Sequence, residues 1–263
     1  MRKYELTEGT KTLADGTVLH RIRALRDIPR YGVKSGDLGG WIEAESNLSQ
    51  DDDAWVSDYA RVYGNARVSD YAKVYGDARV YGDAQVYGNA WVYGNAEVYG
   101  NAVVCGDARV CGNALVNGNA EAYDNARVYG DAKVYGDAQV YGDAMVCGDA
   151  RVYGDAWVCG KAWVYGDAQV YGNARVYGNA RVSGDARVSG DGDVMWFKNT
   201  WSSGRWFTYT RSNKKWAVGC FYGTGEELIK KAYADSEKSG KCYEAIVRAV
   251  ETIETAQGET KGE

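Results

Sequence analysis

The most regular pattern in the chain is an alternation of small apolar and polar positions with a period of six. From Ala54 to Phe197 it runs through 24 consecutive hexads of the form A-x-V-[YSC]-G-[DN], without an insertion. Alanine opens every hexad except the last, which opens on Gly192; valine holds the third place in all but one, where Ala122 stands. In the stretch ARVYGDAKVYGDAQVYGDA (126–144) only Arg127, Lys133 and Gln139 differ between repeats. Alternate residues of an extended chain point to opposite sides. Ala and Val therefore share one side, and the variable residue and the tyrosine share the other. Glycine takes positive φ freely and Asp or Asn side chains bond nearby backbone, so Gly-Asp and Gly-Asn predict corners. Short strands joined by tight corners, repeated without a break, must coil into a β-solenoid. Each buried valine contributes about 1.5–3 kcal/mol before entropy is subtracted, which makes a stacked Val/Ala column an ample core.

The pattern changes on both sides of the repeat. Residues 1–53 contain the strand-like TVLHRIRALRD (17–27) and then GVKSGDLGGWIEAESNLS (32–49). After the repeat, WFKNTW, RWFTYTR and KWAVGCF predict three short strands, with turns at Ser202-Ser203-Gly204 and Ser212-Asn213-Lys214. Thr224-Gly225-Glu226-Glu227 is a capping box that opens a helix. A second helix near residues 240–256 carries Tyr243, Ile246, Val247, Val250 and Ile253 on one stripe, expected to pack on the small sheet. A solenoid needs its ends covered, so both flanks are expected to be caps.

The run V-x-G-[DN]-A-x over residues 54–197 resembles the hexapeptide repeat of left-handed β-helix proteins. That resemblance implies a mainly β fold: a single-stranded, left-handed parallel β-helix with three hexads per triangular coil, hence about eight coils. A β-rich N-terminal cap (1–53) and a small α+β C-terminal cap (198–263) complete the expected organisation. The flanks carry a second resemblance. RIRALRD…GDLGGWIEAESNLS and GCFYGTGEEL look like segments that bracket hexapeptide arrays in uncharacterised bacteriophage and prophage proteins. No activity comes with that likeness.

Composition narrows the chemistry. There are 34 glycines and 22 tyrosines but one histidine, His20, and one proline, Pro29. Hexapeptide acyltransferases typically use a histidine base, and the related zinc carbonic anhydrases use three histidines. The repeat has none, and His20 sits on an expected strand of the N-terminal flank, so neither chemistry is supported. Cys105, Cys111, Cys147 and Cys159 replace tyrosine within hexads, with no paired base to activate them and no metal-site spacing. Corner aspartates such as Asp131, Asp137 and Asp143 read as structural Asx turns, because Asn replaces Asp freely. No cofactor and no metal are expected. The net charge of −5, with 12 basic against 17 acidic residues in the repeat, disfavours duplex nucleic acid. No apolar run approaches a membrane span and the opening MRKYELTEGTK has no signal-peptide core, so the cytoplasm is expected, that of the host if the chain is phage-encoded.

Stacking every third hexad sorts the free residues into three columns. The first runs from Trp55 to Arg181 through Trp91, Arg109, Arg127 and Trp163. The second runs from Arg61 to Arg187 through Arg79 and Arg151, and the third from Arg67 to Asp193 through Trp157 and Arg175. Beside them run tyrosine columns, in which Tyr63, Tyr81 and Tyr153 are candidates for stacking one strand apart. Trp, Tyr and Arg are the residues enriched at binding hot spots. The expected function is a non-catalytic phage-type binding protein, inhibiting a host system or serving a particle, with a protein partner or further copies of itself in a homotrimer. The alternative is a binder of a nucleotide or sugar through Arg/Tyr walls between subunits. A divergent acyltransferase is the third reading.

Overall fold

The computed structural model describes residues 2–200 and 204–259, which fall into two compact units that divide between Asp191 and Gly192. Unit one begins with an antiparallel pair, β1 (Tyr4–Thr12) and β2 (Val18–Ala24), followed by β3 (Leu38–Ile42). Twenty-three two-residue strands then follow at six-residue intervals, β4 (Trp55–Val56) to β26 (Arg187–Val188).

Each strand pairs in parallel with the strand three hexads later, so the chain turns through three sheets per coil, about eight times. In every strand the variable residue faces its counterpart eighteen residues on: Arg109 pairs Arg127, and Val110 pairs Val128. Backbone bonds at strands and corners tie coil to coil, as in Arg127 N–H to Ala144 O (2.9 Å), Tyr129 N–H to Val146 O (3.0 Å) and Asp131 N–H to Gly148 O (3.0 Å). The inward alanines and valines of the coil are fully buried, as the alternation predicts. This is the parallel β-solenoid of about eight turns expected from the hexads.

The corners correct one expectation. Their Asn and Asp side chains bond across coils as well as serving the turn. Asn113 Nδ2 donates to Asp131 Oδ1 (2.9 Å), and Asn119 and Asn125 do the same to Asp137 and Asp143 (2.8 and 3.0 Å). Stacking brings these positions together; a local Asx turn does not describe that ladder.

At the start of the coil, β3 pairs in parallel with β5 (Arg61–Val62), so the N-terminal strands extend one face of the solenoid. The Gly-Gly of GDLGGWIE is needed for close approach: a Cβ on Gly39 would stand 2.5 Å from Ile22 Cγ1 and 2.7 Å from Trp55 Cζ2. Buried Asn47 closes the first turn, donating to Gly64 O and Ala66 O (both 2.9 Å). Lys3 is also buried. Its ammonium bonds Ala54 O (2.7 Å) and Asp52 (3.2 Å), while burial lowers its pKa.

The twenty-fourth hexad leaves the coil. Gly192 removes the inward alanine, and Met195-Trp196-Phe197 stand where the other hexads turn. Residues Val194–Lys198 instead form β27, the first strand of an antiparallel sheet with β28 (Trp206–Thr210), β29 (Lys215–Val218) and β30 (Phe221–Gly223). Unit two thus has four strands where three are predicted. The expected turn at Ser202-Ser203-Gly204 falls largely outside the described residues. Helix α1 (Gly225–Asp235) opens on the expected capping box: Thr224 Oγ1 accepts from Glu227 N (3.3 Å) and Glu227 Oε2 accepts from Thr224 N (2.7 Å). Helix α2 (Glu237–Glu259) begins earlier than its apolar stripe indicates. Tyr243, Val247 and Val250 are buried with Phe207, Trp216, Val218 and Leu228, and Ile246 packs against them. Ile253, placed on the same stripe by periodicity, is exposed.

Candidate functional site

The first face of the solenoid presents a run of large side chains over six successive coils: Trp91, Arg109, Arg127, Met145, Trp163 and Arg181. Parallel pairing spaces them by about 4.8 Å. The Arg109 guanidinium lies 5.1 Å from the Trp91 ring and that of Arg181 lies 4.7 Å from the Trp163 ring. Each such contact holds an indole and a cation in one orientation at the surface. Arg127 stands between these two pairs and, like Arg109 and Lys161, forms no ion pair among the described residues. An open groove of about 570 Å³ runs along this stretch. Arg109, Arg127, Met145 and Trp163 form its wall, and the corner residues Asp107, Asn125, Asp143 and Lys161 form its rim.

Two of these residues were not among the candidates, Lys161 because it lies outside the columns and Met145 although it stands in the first. Lys161 stands where nearly every other hexad carries Asp or Asn, and Met145 is the one methionine at a variable position. Their departure from the consensus is the signal that could have found them.

The other candidates separate according to their surroundings. Trp55 opens the first column but is buried, 1% exposed, because the cap residue Gly39 packs against its ring. It is a core residue, and its place among outward candidates is corrected. Arg61 is half-buried, beside β3, with its Nε shut off from water. Arg79 pairs with Glu97 (3.1 Å), so its charge is partly answered within the wall. Arg151 is exposed on the second face. Asp193, the expected end of the third column, lies in the 3-10 turn that leads out of the coil.

The tyrosine columns form as expected. Tyr63, Tyr81 and Tyr99 stack with centroids 5.0 and 4.9 Å apart, and Tyr135, Tyr153 and Tyr171 with 4.9 and 5.1 Å, all within 7° of parallel. Burial shifts the phenols of Tyr63, Tyr81 and Tyr153 upward. Tyr81 titrates well above the usual range, through burial and then the nearby Glu97 carboxylate. Tyr93, Tyr129 and Tyr141 are pushed to about 12, first by hydrogen bonding to Cys111, Cys147 and Cys159. Burial likewise pushes the Cys105 thiol up, which opposes nucleophile formation. All six cysteines are free. His20 lies in β2, opposite Thr10 and Ile42. Among the described residues no group of three or more His, Cys, Asp or Glu side chains could hold a metal ion, and no helix is long and apolar enough to cross a membrane.

The architecture and the repeat together define a β-solenoid repeat protein. Within the coil, residues 60–74, 72–88, 84–96, 108–120, 138–150, 146–160, 168–182 and 180–192 match the YdcK beta solenoid repeat model. These segments cover less than half of the chain and none of the flanks at 1–59 and 193–263. No curated protein matches it.

Proposed function

We propose that the protein is a non-catalytic binding protein whose first solenoid face docks a protein partner with an acidic patch edged by apolar residues. The observation that carries this reading is the unbroken run Trp91–Arg109–Arg127–Met145–Trp163–Arg181 beside its open groove. Trp and Arg are the residues that most often dominate binding energy, and two of the arginines are already held against indoles. The cations Arg109, Arg127 and Lys161 favour an acidic counterpart. The absence of histidine from the repeat and the raised pKa of the Cys105 thiol support a non-catalytic role. The likeness of the flanks to phage and prophage segments supports a setting in which the partner is a host component or a particle protein.

The test compares capture from a bacterial lysate by the native chain, by an Arg127→Glu/Trp163→Ala variant of the first face, and by an Arg67→Glu control on the third. A partner retained by the native chain and the control but lost to the first-face variant supports the proposal. Equal retention by all three sinks it. Retention only of further copies of the chain replaces the partner with self-assembly, which sedimentation would then show as a trimer.

A further inference from the structure

The tyrosine column of the second face lacks one rung. Tyr63, Tyr81 and Tyr99 stack on one side of the gap and Tyr135, Tyr153 and Tyr171 on the other. Asn117 stands between them, on a coil whose strand pairs in register with both neighbours. The backbone therefore keeps its spacing while the ring is missing. Tyr99 and Tyr135 are left two strand spacings apart, roughly 10 Å. In a column stacked at about 4.9 Å, that is the room for one more planar ring. The gap opens into a pocket of about 360 Å³ lined by Tyr99, Leu115, Asn117, Lys133, Tyr135 and Arg151.

Three features of the gap point to a ligand class. Two phenol faces with no ring against them favour a flat aromatic group, which stacks irrespective of its substituents. The Asn117 carboxamide, already bonded to the Tyr99 hydroxyl, brings amide hydrogen-bonding groups to the level of that ring. Lys133 and Arg151, on the next two strands of the same face, are exposed and form no ion pair among the described residues. Cations so placed favour an anionic group on the same ligand. Glu97, the one acidic residue in the variable column of this face, is occupied by Arg79 (3.1 Å) and the Tyr81 hydroxyl (3.2 Å). The interruptions at Cys105, Cys111, Cys147 and Cys159 likewise bond a tyrosine hydroxyl of the preceding coil, and what sets Asn117 apart is the pocket that holds Lys133 and Arg151 beside the flanking tyrosines.

We infer that the missing rung at Asn117 is a mononucleotide site: the base completes the column between Tyr99 and Tyr135, and the phosphate meets Lys133 and Arg151. The site lies on a different face from the proposed protein-docking run and does not depend on it.

The test is calorimetric titration of the full chain with AMP and with adenosine. AMP is expected to bind saturably and about tenfold more tightly than adenosine. Asn117→Tyr restores the rung, and should weaken AMP binding at least about tenfold while leaving the melting temperature unchanged or raised. A Lys133→Ala/Arg151→Ala variant should keep adenosine binding and lose the preference for AMP. Arg127→Ala, on the first face, should bind AMP as the native chain does. No saturable AMP binding in the millimolar range overturns the inference, as does AMP binding undiminished in the Asn117→Tyr variant.

Discussion

The solenoid and the unit that follows it reach stability by opposite routes. In the coil every inward side chain is small, alanine or valine, and its neighbours in space are the residues eighteen positions before and after. Unit two depends on a few large residues drawn from far apart: Phe207 meets Tyr243 at 4.6 Å and Trp216 at 6.4 Å, with Leu228 and Val247 around them. A stack of near-identical coils spreads its stability over many equivalent contacts. A single aromatic cluster concentrates it. Replacing one residue should therefore have local consequences in the first and collective ones in the second.

The sharpest break in that comparison is Phe207→Ala. Truncating a fully buried phenylalanine costs about 3–5 kcal/mol, enough to melt a 72-residue unit while the coil persists. Calorimetry should show the transition of unit two lost or moved down strongly, with the solenoid transition in place. A shared shift of both would mean that the two are not energetically separate.

A smaller effect isolates the stacking of the coil. Gly136 and Gly178 both turn corners at positive φ, 74° and 67°. A Cβ on Gly136 would stand 3.0 Å from the Gly154 amide nitrogen of the next coil, whereas a Cβ on Gly178 meets nothing within 4 Å. Alanine at either site carries the left-handed penalty of about 1–2 kcal/mol. Only at Gly136 should overpacking add about 1 kcal/mol or more. Chemical denaturation of the two variants reads that difference directly, and equal losses would show that coil contact at the corner is not limiting. Aspartate should be milder than alanine at Gly136. Asp58 and Asp70 already occupy such corners, their carboxylates accepting from the next coil's Gly76 and Gly88 N–H (both 3.0 Å).

The smallest expected effect is a pH dependence. Tyr93, Tyr129 and Tyr141 are raised from 10 to about 12 in the fold. The folded state thus holds protons that the unfolded state has released above pH 10, so stability falls with rising pH. Their contribution is complete below pH 10 and is lost as pH climbs through about 12; partial solvent exposure keeps it modest. Tyrosinate absorbance and circular dichroism followed together should place the coil's alkaline transition in that window. A coil whose stability is flat from pH 10 to 12 would contradict the raised phenols.

Much of the coil was legible because its information is local. A six-residue alternation with a glycine corner states which side chains face inward, and stacking by three places Arg109 beside Arg127 and Tyr81 beside Tyr99. Strand β1 was not legible, since YELTEGTKT has little apolar alternation and is held by pairing with β2. Nor was the burial of Trp55, which depends on a cap residue sixteen positions earlier.

From the sequence alone came the solenoid, its inward and outward faces and the capping box of α1, because each follows from bonds and sterics within a few residues; the sorting into three columns came from the resemblance to hexapeptide repeats. The tertiary structure decided where the coil ends, which outward residues remain open, and which breaks in a column become cavities. Asn117 is one letter out of pattern in the chain. It becomes a slot only because stacking sets Tyr99 and Tyr135, thirty-six positions apart, on either side of it.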